Sequence, residues 1–174
     1  LSIKDAMKQY FQMRRETANK GLDFLFKTPI LDNEELVIYE GKADEEEYIS
    51  WKPVEIPFQQ NIKNYLDMDL HDTIQDYFNS YWFADLDGFY INYYIKLHPV
   101  LPNNLNSYLK LINGYKKNHE NKLDKVPIGI EGNGLTVVID NKSGVVYLED
   151  FERESFEPIA DSIEILIKNL KLNN

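Results

Sequence analysis

The chain has 174 residues, 43% hydrophobic and 13% aromatic, with a formal net charge of −10 and no cysteine. That much apolar material supports a core, so one folded domain over residues 1–174 is expected rather than disorder, and the element order below makes it α+β. The lack of cysteine removes disulfides, thiolate metal sites and a cysteine nucleophile, and it fits a reducing cytoplasm; the acidity opposes nucleic-acid binding.

Ser2 to Lys20 reads as an amphipathic helix with Ile3, Ala6, Met7, Tyr10 and Phe11 on one stripe, stopped near Gly21. It carries five basic residues against Asp5 and Glu16, so the acidity is concentrated after it, and its charge excludes a signal peptide. No apolar stretch approaches the ~20 residues needed to span a bilayer. Leu22 to Asn33 reads as an irregular connector. Leu36–Tyr39 and Tyr48–Trp51 then suggest a hairpin around the charged turn Glu40 to Glu47, with Pro53 and Pro57 ending the pairing.

A short helix over Gln59 to Leu66 precedes a longer one over Leu70 to Phe83, where Ile74, Tyr77, Phe78, Tyr81 and Trp82 share one face. Such an aromatic stripe is usually core. Ala84 to Gly88 turns the chain into a long central strand, Phe89 to Leu97, closed by Pro99 and Pro102. Asn103 or Asn104 caps a helix from Leu105 to Lys117, and a loop runs to Lys125.

Two β-branched runs, Leu135–Ile139 and Val145–Leu148, flank Asp140-Asn141-Lys142-Ser143-Gly144. A short polar loop ending in glycine marks an antiparallel hairpin, and its two apolar faces place it in the middle of a sheet. Ser155 is expected to cap a last helix, with Pro158 in its first turn and Ile159, Ile163, Leu166, Ile167 and Leu170 inward. Strands joined as hairpins favour a mainly antiparallel central sheet with packed helices.

The signals for chemistry are weak. His71, His98 and His119 lack the spacing of a zinc site, and the last two read as surface residues. Gly129 to Gly134 is neither a phosphate-binding loop nor a dinucleotide fingerprint. Asp85-Leu86-Asp87-Gly88 resembles part of a calcium loop but lacks the closing ligands. Asp72 and Asp76, or Asp85 and Asp87 with His71, give only a thin case for a hydrolase.

Several segments together resemble the Syd branch of the SUKH superfamily of immunity proteins. They are the N-terminal helix, Trp51-Lys52-Pro53 with Pro57-Phe58 behind it, and Thr73-Ile74 leading to Phe83-Ala84-Asp85. Pro127-Ile128 and the Asn-x-Ser-Gly-x-Val of Asn141 to Val146 follow in the same order. The resemblance covers nearly the whole chain and is poorest from Leu22 to Glu47. It implies a cytoplasmic, cofactor-free, non-enzymatic α+β protein that binds another protein. The implied partner is a cognate toxin of interbacterial competition, often a nuclease, or the SecY translocon, whose cytoplasmic loops are basic. Divergence in the first third favours the toxin. An acidic surface suits either partner, because complementary charge speeds encounter. The candidate surface comprises Asp85, Asp87, Glu149, Asp150 and Glu152, expected on one rim, with Trp82 and Tyr147 as aromatic anchors.

Overall fold

A computed structural model describes residues 1–30, 35–102 and 105–173. Helix α1 spans Ile3–Ala18 and opens with a capping box, in which Ser2 and Asp5 satisfy each other's backbone N–H groups. Its five stripe residues are all buried. After a 3₁₀ turn at Asp23–Phe26 come β1 (Lys27–Pro29), β2 (Tyr39–Glu40) and β3 (Tyr48–Trp51), a small sheet in the order β1-β3-β2. The expected hairpin therefore forms, with its first strand shifted past Ile38. Trp51 is fully buried against Phe11 and Phe26. Strand β4 (Val54–Glu55) pairs with β5 (Tyr81–Trp82), and between them lie α2 (Ile62–Leu66) and α3 (Asp72–Tyr77).

The main sheet is antiparallel and built from β6 (Leu86–Tyr90), β7 (Tyr93–Leu97), β8 (Lys125–Glu131), β9 (Thr136–Asp140), β10 (Val146–Asp150) and β11 (Ser155–Ala160). Its order is β11-β10-β9-β8-β7-β6. It curls strongly enough for the Tyr93 hydroxyl on β7 to reach Glu157 on β11, 3.1 Å away. The inner face carries Leu86, Ile95, Leu97, Val137, Ile139, Val146 and Leu148 into one core with α1 and α5 (Ile163–Lys168). On the outer face lies α4 (Leu105–Lys117), whose Tyr108 hydroxyl donates to the Pro127 carbonyl.

The central hairpin stands as expected. Val137, Val138 and Ile139 are all fully buried, so both faces of β9 are covered. Asp140 Oδ1 accepts the N–H groups of Lys142 and Ser143, and these bonds help hold its carboxyl down at about 2. Gly144 has φ +80°, and the His71 ring lies where a Cβ would project. Asn141 accepts from the His71 N–H and donates to the carbonyls of Asp69 and Leu123. The Asn-x-Ser-Gly turn is thus a staple between the sheet and the α2–α3 linker.

Lys27–Pro29 of the expected connector forms β1, and three larger expected elements also differ. The helix of Leu70 to Phe83 shrinks to α3 because Asn79 and Ser80 turn their side chains onto the carbonyls of Gln75 and Asp76, ending the backbone ladder. The single strand Phe89 to Leu97 is a hairpin, and the expected turn Ala84 to Gly88 already enters β6. Ser155 opens strand β11 rather than a helix, and Pro158 is tolerated there because β11 is an edge. Ser162 caps the helix instead. The proposed caps Asn103 and Asn104 lie outside the described residues.

The β6–β7 hairpin turns at Ile91, whose φ of +57° is a left-handed conformation that a β-branched residue rarely adopts. The side chain is 67% exposed, so it gains little burial in return. Ile91→Gly is expected to raise stability by about 1 kcal/mol. Thermal denaturation would show this as a midpoint 2–4 °C higher, to order of magnitude.

Both outward-facing residues of edge strand β6 are already bonded. The Tyr10 hydroxyl donates to the Asp87 carbonyl and accepts from its N–H. Lys171 exchanges both backbone bonds with Phe89, and a Cβ on Gly88 would come within 2.7 Å of the Lys171 carbonyl oxygen. On the other side of the sheet, β11 carries no further strand among the described residues.

Candidate partner-binding surface

The candidate residues fall into three places. Asp87 is tied into the fold. Its Oδ1 lies 2.6 Å from Arg14 Nη1, and its other oxygen accepts from the Tyr94 hydroxyl. Arg14, only 4% exposed, also donates to the Leu25 carbonyl and the Tyr10 hydroxyl, and its guanidinium lies near the Phe26 and Trp51 rings. Burial pushes the Tyr10 hydroxyl up to about 12, keeping it a neutral donor in this network. Asp85 is half-buried, 3.8 Å from Lys96, and burial raises its pKa above the ordinary carboxylate value.

Trp82, on β5, stacks edge-on against Phe58 and lines a small cavity of about 140 Å³ with Tyr65, Phe78 and Val100. It lies outside the main sheet.

Glu149, Asp150, Glu152 and Tyr147 do share one region, the end of β10 and the turn into β11. Glu149 is buried, with Oε2 2.6 Å from His119 Nε2. The His119 ring stacks on Tyr115 at 3.7 Å, and its Nδ1 faces the Tyr115 carbonyl oxygen at 2.6 Å. His119 and His98 are both half-buried, not the surface residues expected. Asp150 caps the β10–β11 turn by accepting the Arg153 N–H, while Glu152 is exposed. Tyr147 is half-buried, with the Lys125 ammonium 5.1 Å from its ring centroid.

The two acidic groups do not share a rim. Asp87, Lys96, Ile130, Thr136, Glu149 and Phe156 follow one another across the sheet in register, so Asp87 and Glu149 stand in one row. Four strand spacings separate them, about 19 Å along the sheet. Asp85 and Asp87 are not joined by His71, which caps α3 through Thr73 and abuts Gly144. Among the described residues no group of three or more His, Asp or Glu is placed to hold a metal ion.

Around the β10 end, the fold adds residues that sequence reasoning missed. A depression of about 370 Å³ separates the α4–β8 loop from the β10–β11 turn, lined by His119, Glu120, Asp124, Glu154, Phe151 and Phe156 among others. Phe151 is 57% exposed and Phe156 39%, so two aromatic rings stand open beside acidic side chains. The available sequence signal was Phe151 inside the acidic run Glu149 to Glu154 and Phe156 just after it.

No helix among the described residues is long and apolar enough to cross a membrane. No curated protein matches the chain. A family model described as Syd protein (SUKH-2) matches residues 3–171. That family points to protein–protein interaction of an immunity-like or Syd-type kind, and its members are in general binding proteins rather than enzymes. A match over nearly the whole length settles membership: the chain belongs to the Syd protein (SUKH-2) family.

Proposed function

We propose that the protein is an immunity protein of the bacterial cytoplasm that binds a cognate toxin and blocks it by occlusion, through the acidic and aromatic surface at the end of β10. The observation that carries the reading is the pairing of exposed Phe151 and Phe156 with exposed Glu120, Asp124, Glu152 and Glu154. Buried aromatic anchors supply most of the affinity of a protein interface, while surrounding charge sets encounter rate and partner choice. Asp150 and Glu149 shape this surface from below, and Tyr147 supports Phe156 edge-on at 6.5 Å. Asp85, Asp87 and Trp82 act in the fold instead. The partner carries a basic patch. The SecY translocon fits the same charge logic and is the second reading, favoured by family membership alone.

The test is co-expression with any toxin that a neighbouring gene encodes, followed by kinetics on the purified pair. Reversing Glu120, Asp124, Glu152 and Glu154 to lysine should leave the melting curve nearly unchanged and abolish protection. The on-rate of the parent should fall as salt rises, because surface attraction is screened beyond ~8 Å at physiological ionic strength. Binding that survives the reversal within about threefold, ~0.7 kcal/mol, would place the interface elsewhere, with Glu40 to Glu47 next in line. Protection that never appears, alongside capture of the translocon, would favour the second reading.

A further inference from the structure

The outer face of the sheet holds a second, chemically different feature. Between α4 and strands β7–β9 runs an open groove of about 590 Å³, within the ~300–1,000 Å³ range of small-molecule sites. Its apolar walls include Leu111 and Tyr115 from α4 and Ile130 from the sheet, and Ile130 is 60% exposed. Its charged lining residues are Lys96 and Lys110, and none of the lining residues is acidic. On a chain of net charge −10, this is a local reversal of sign. Lys110 has no ion-pair partner among the described residues, and the Lys96–Asp85 pair is long at 3.8 Å.

Gly114 adds an independent observation. It sits inside α4 and lines the groove, and a Cβ there would meet nothing within 4 Å. Alanine would stabilise that helix position by up to ~1 kcal/mol, so packing does not require the glycine. What the glycine does is leave the groove open.

The lining also restricts the occupant. Strands β7, β8 and β9 are interior, paired on both sides, and the backbone of α4 is engaged within its helix. Few main-chain groups remain to recognise a peptide backbone. What remains is an apolar trough with two ammonium groups. We propose that this groove binds an anionic amphiphile, an unbranched or aryl apolar body carrying one carboxylate. The carboxylate pairs with Lys96 and Lys110, and the apolar body lies along Leu111, Tyr115 and Ile130 over Gly114. This groove adjoins the surface at the end of β10, with Tyr115 and Asn118 lining both, but its test needs no protein partner.

Dodecanoate is the probe, titrated calorimetrically into the purified full chain with dodecanol as the neutral control. Saturable one-to-one binding is expected, at least ~tenfold tighter for the carboxylate than for the alcohol. Gly114→Trp should abolish it while the melting temperature stays level or rises, since a glycine leaves a helix interior. Should that variant melt lower than the parent, Leu111→Glu, at a position already 40% exposed, takes its place by setting a carboxylate against the ligand's own. Lys96→Glu with Lys110→Glu should weaken dodecanoate by about tenfold or more and leave dodecanol unaffected. No saturable binding, equal affinity for the alcohol, or indifference to the groove variants would each overturn the proposal. A toxin partner lost on Gly114→Trp, with no dodecanoate bound by the parent, would assign the groove to a protein segment and overturn it equally.

Discussion

Replacing Arg14 by leucine is expected to cost about 3–5 kcal/mol of stability, because it leaves a partly buried carboxylate without its cation. Arg14 Nη1 holds Asp87 at 2.6 Å and the Tyr10 hydroxyl at 2.8 Å, and Nε holds the Leu25 carbonyl at 2.8 Å. One guanidinium thus joins α1, the turn after it and the edge strand β6. Leucine fills comparable space and satisfies none of these three acceptors. Thermal denaturation should show a midpoint lower by roughly 6–20 °C, at 2–4 °C per kcal/mol for a chain of this size. The double variant Arg14→Leu with Asp87→Leu should recover part of the loss, since it removes the unpaired charge as well. A single-variant loss under about 1 kcal/mol, the size of an exposed pair, would mean the network is dispensable.

Val138→Asp is expected to be still more damaging. Val138 is fully buried on the outer face of β9, in register between Pro127 of β8 and Tyr147 of β10. A carboxylate there has no cation opposite it and must either pay desolvation or take up a proton. A loss above ~4 kcal/mol belongs to the exceptional class caused by buried unpaired charge, and the variant should be largely unfolded or melt more than ~10 °C lower. Lys142, exposed at the tip of the same hairpin, should accept alanine with little change. A Val138→Asp protein melting within about a degree of the parent would contradict the covered position of β9.

These two positions differ in how far the sequence discloses them. Val138 is legible, because β-branched residues on both faces of a strand that ends in a glycine turn admit few other arrangements. Arg14 is not, because its partner Asp87 is 73 residues away. Its one local signal is a charge placed on the apolar stripe of Ile3, Met7 and Tyr10. The acids repeat the lesson. Glu152 is open to solvent as read, whereas Asp87 and Glu149 are drawn inward by Arg14 and His119, both distant in sequence. Ser155 and Pro158 misled for a different reason. A serine three residues before a proline suits a helix start and an edge strand alike, and only the free side of β10 decides between them. The hairpin at Ile91 was hidden because a strained turn lacks the glycine that usually announces one.

The two sides of the main sheet also limit how copies of this protein can add to one another. On β6 the outward donors and acceptors are spent on Tyr10 and Lys171. Among the described residues of the main sheet only β11 offers a ladder, and Pro158 removes one donor from it. Strand addition to the main sheet can therefore happen once per molecule. Two copies joined β11 to β11 would make a pair whose continuous main sheet has no free edge to recruit a third, so growth by this route terminates at the dimer and a fibre cannot propagate from the main sheet.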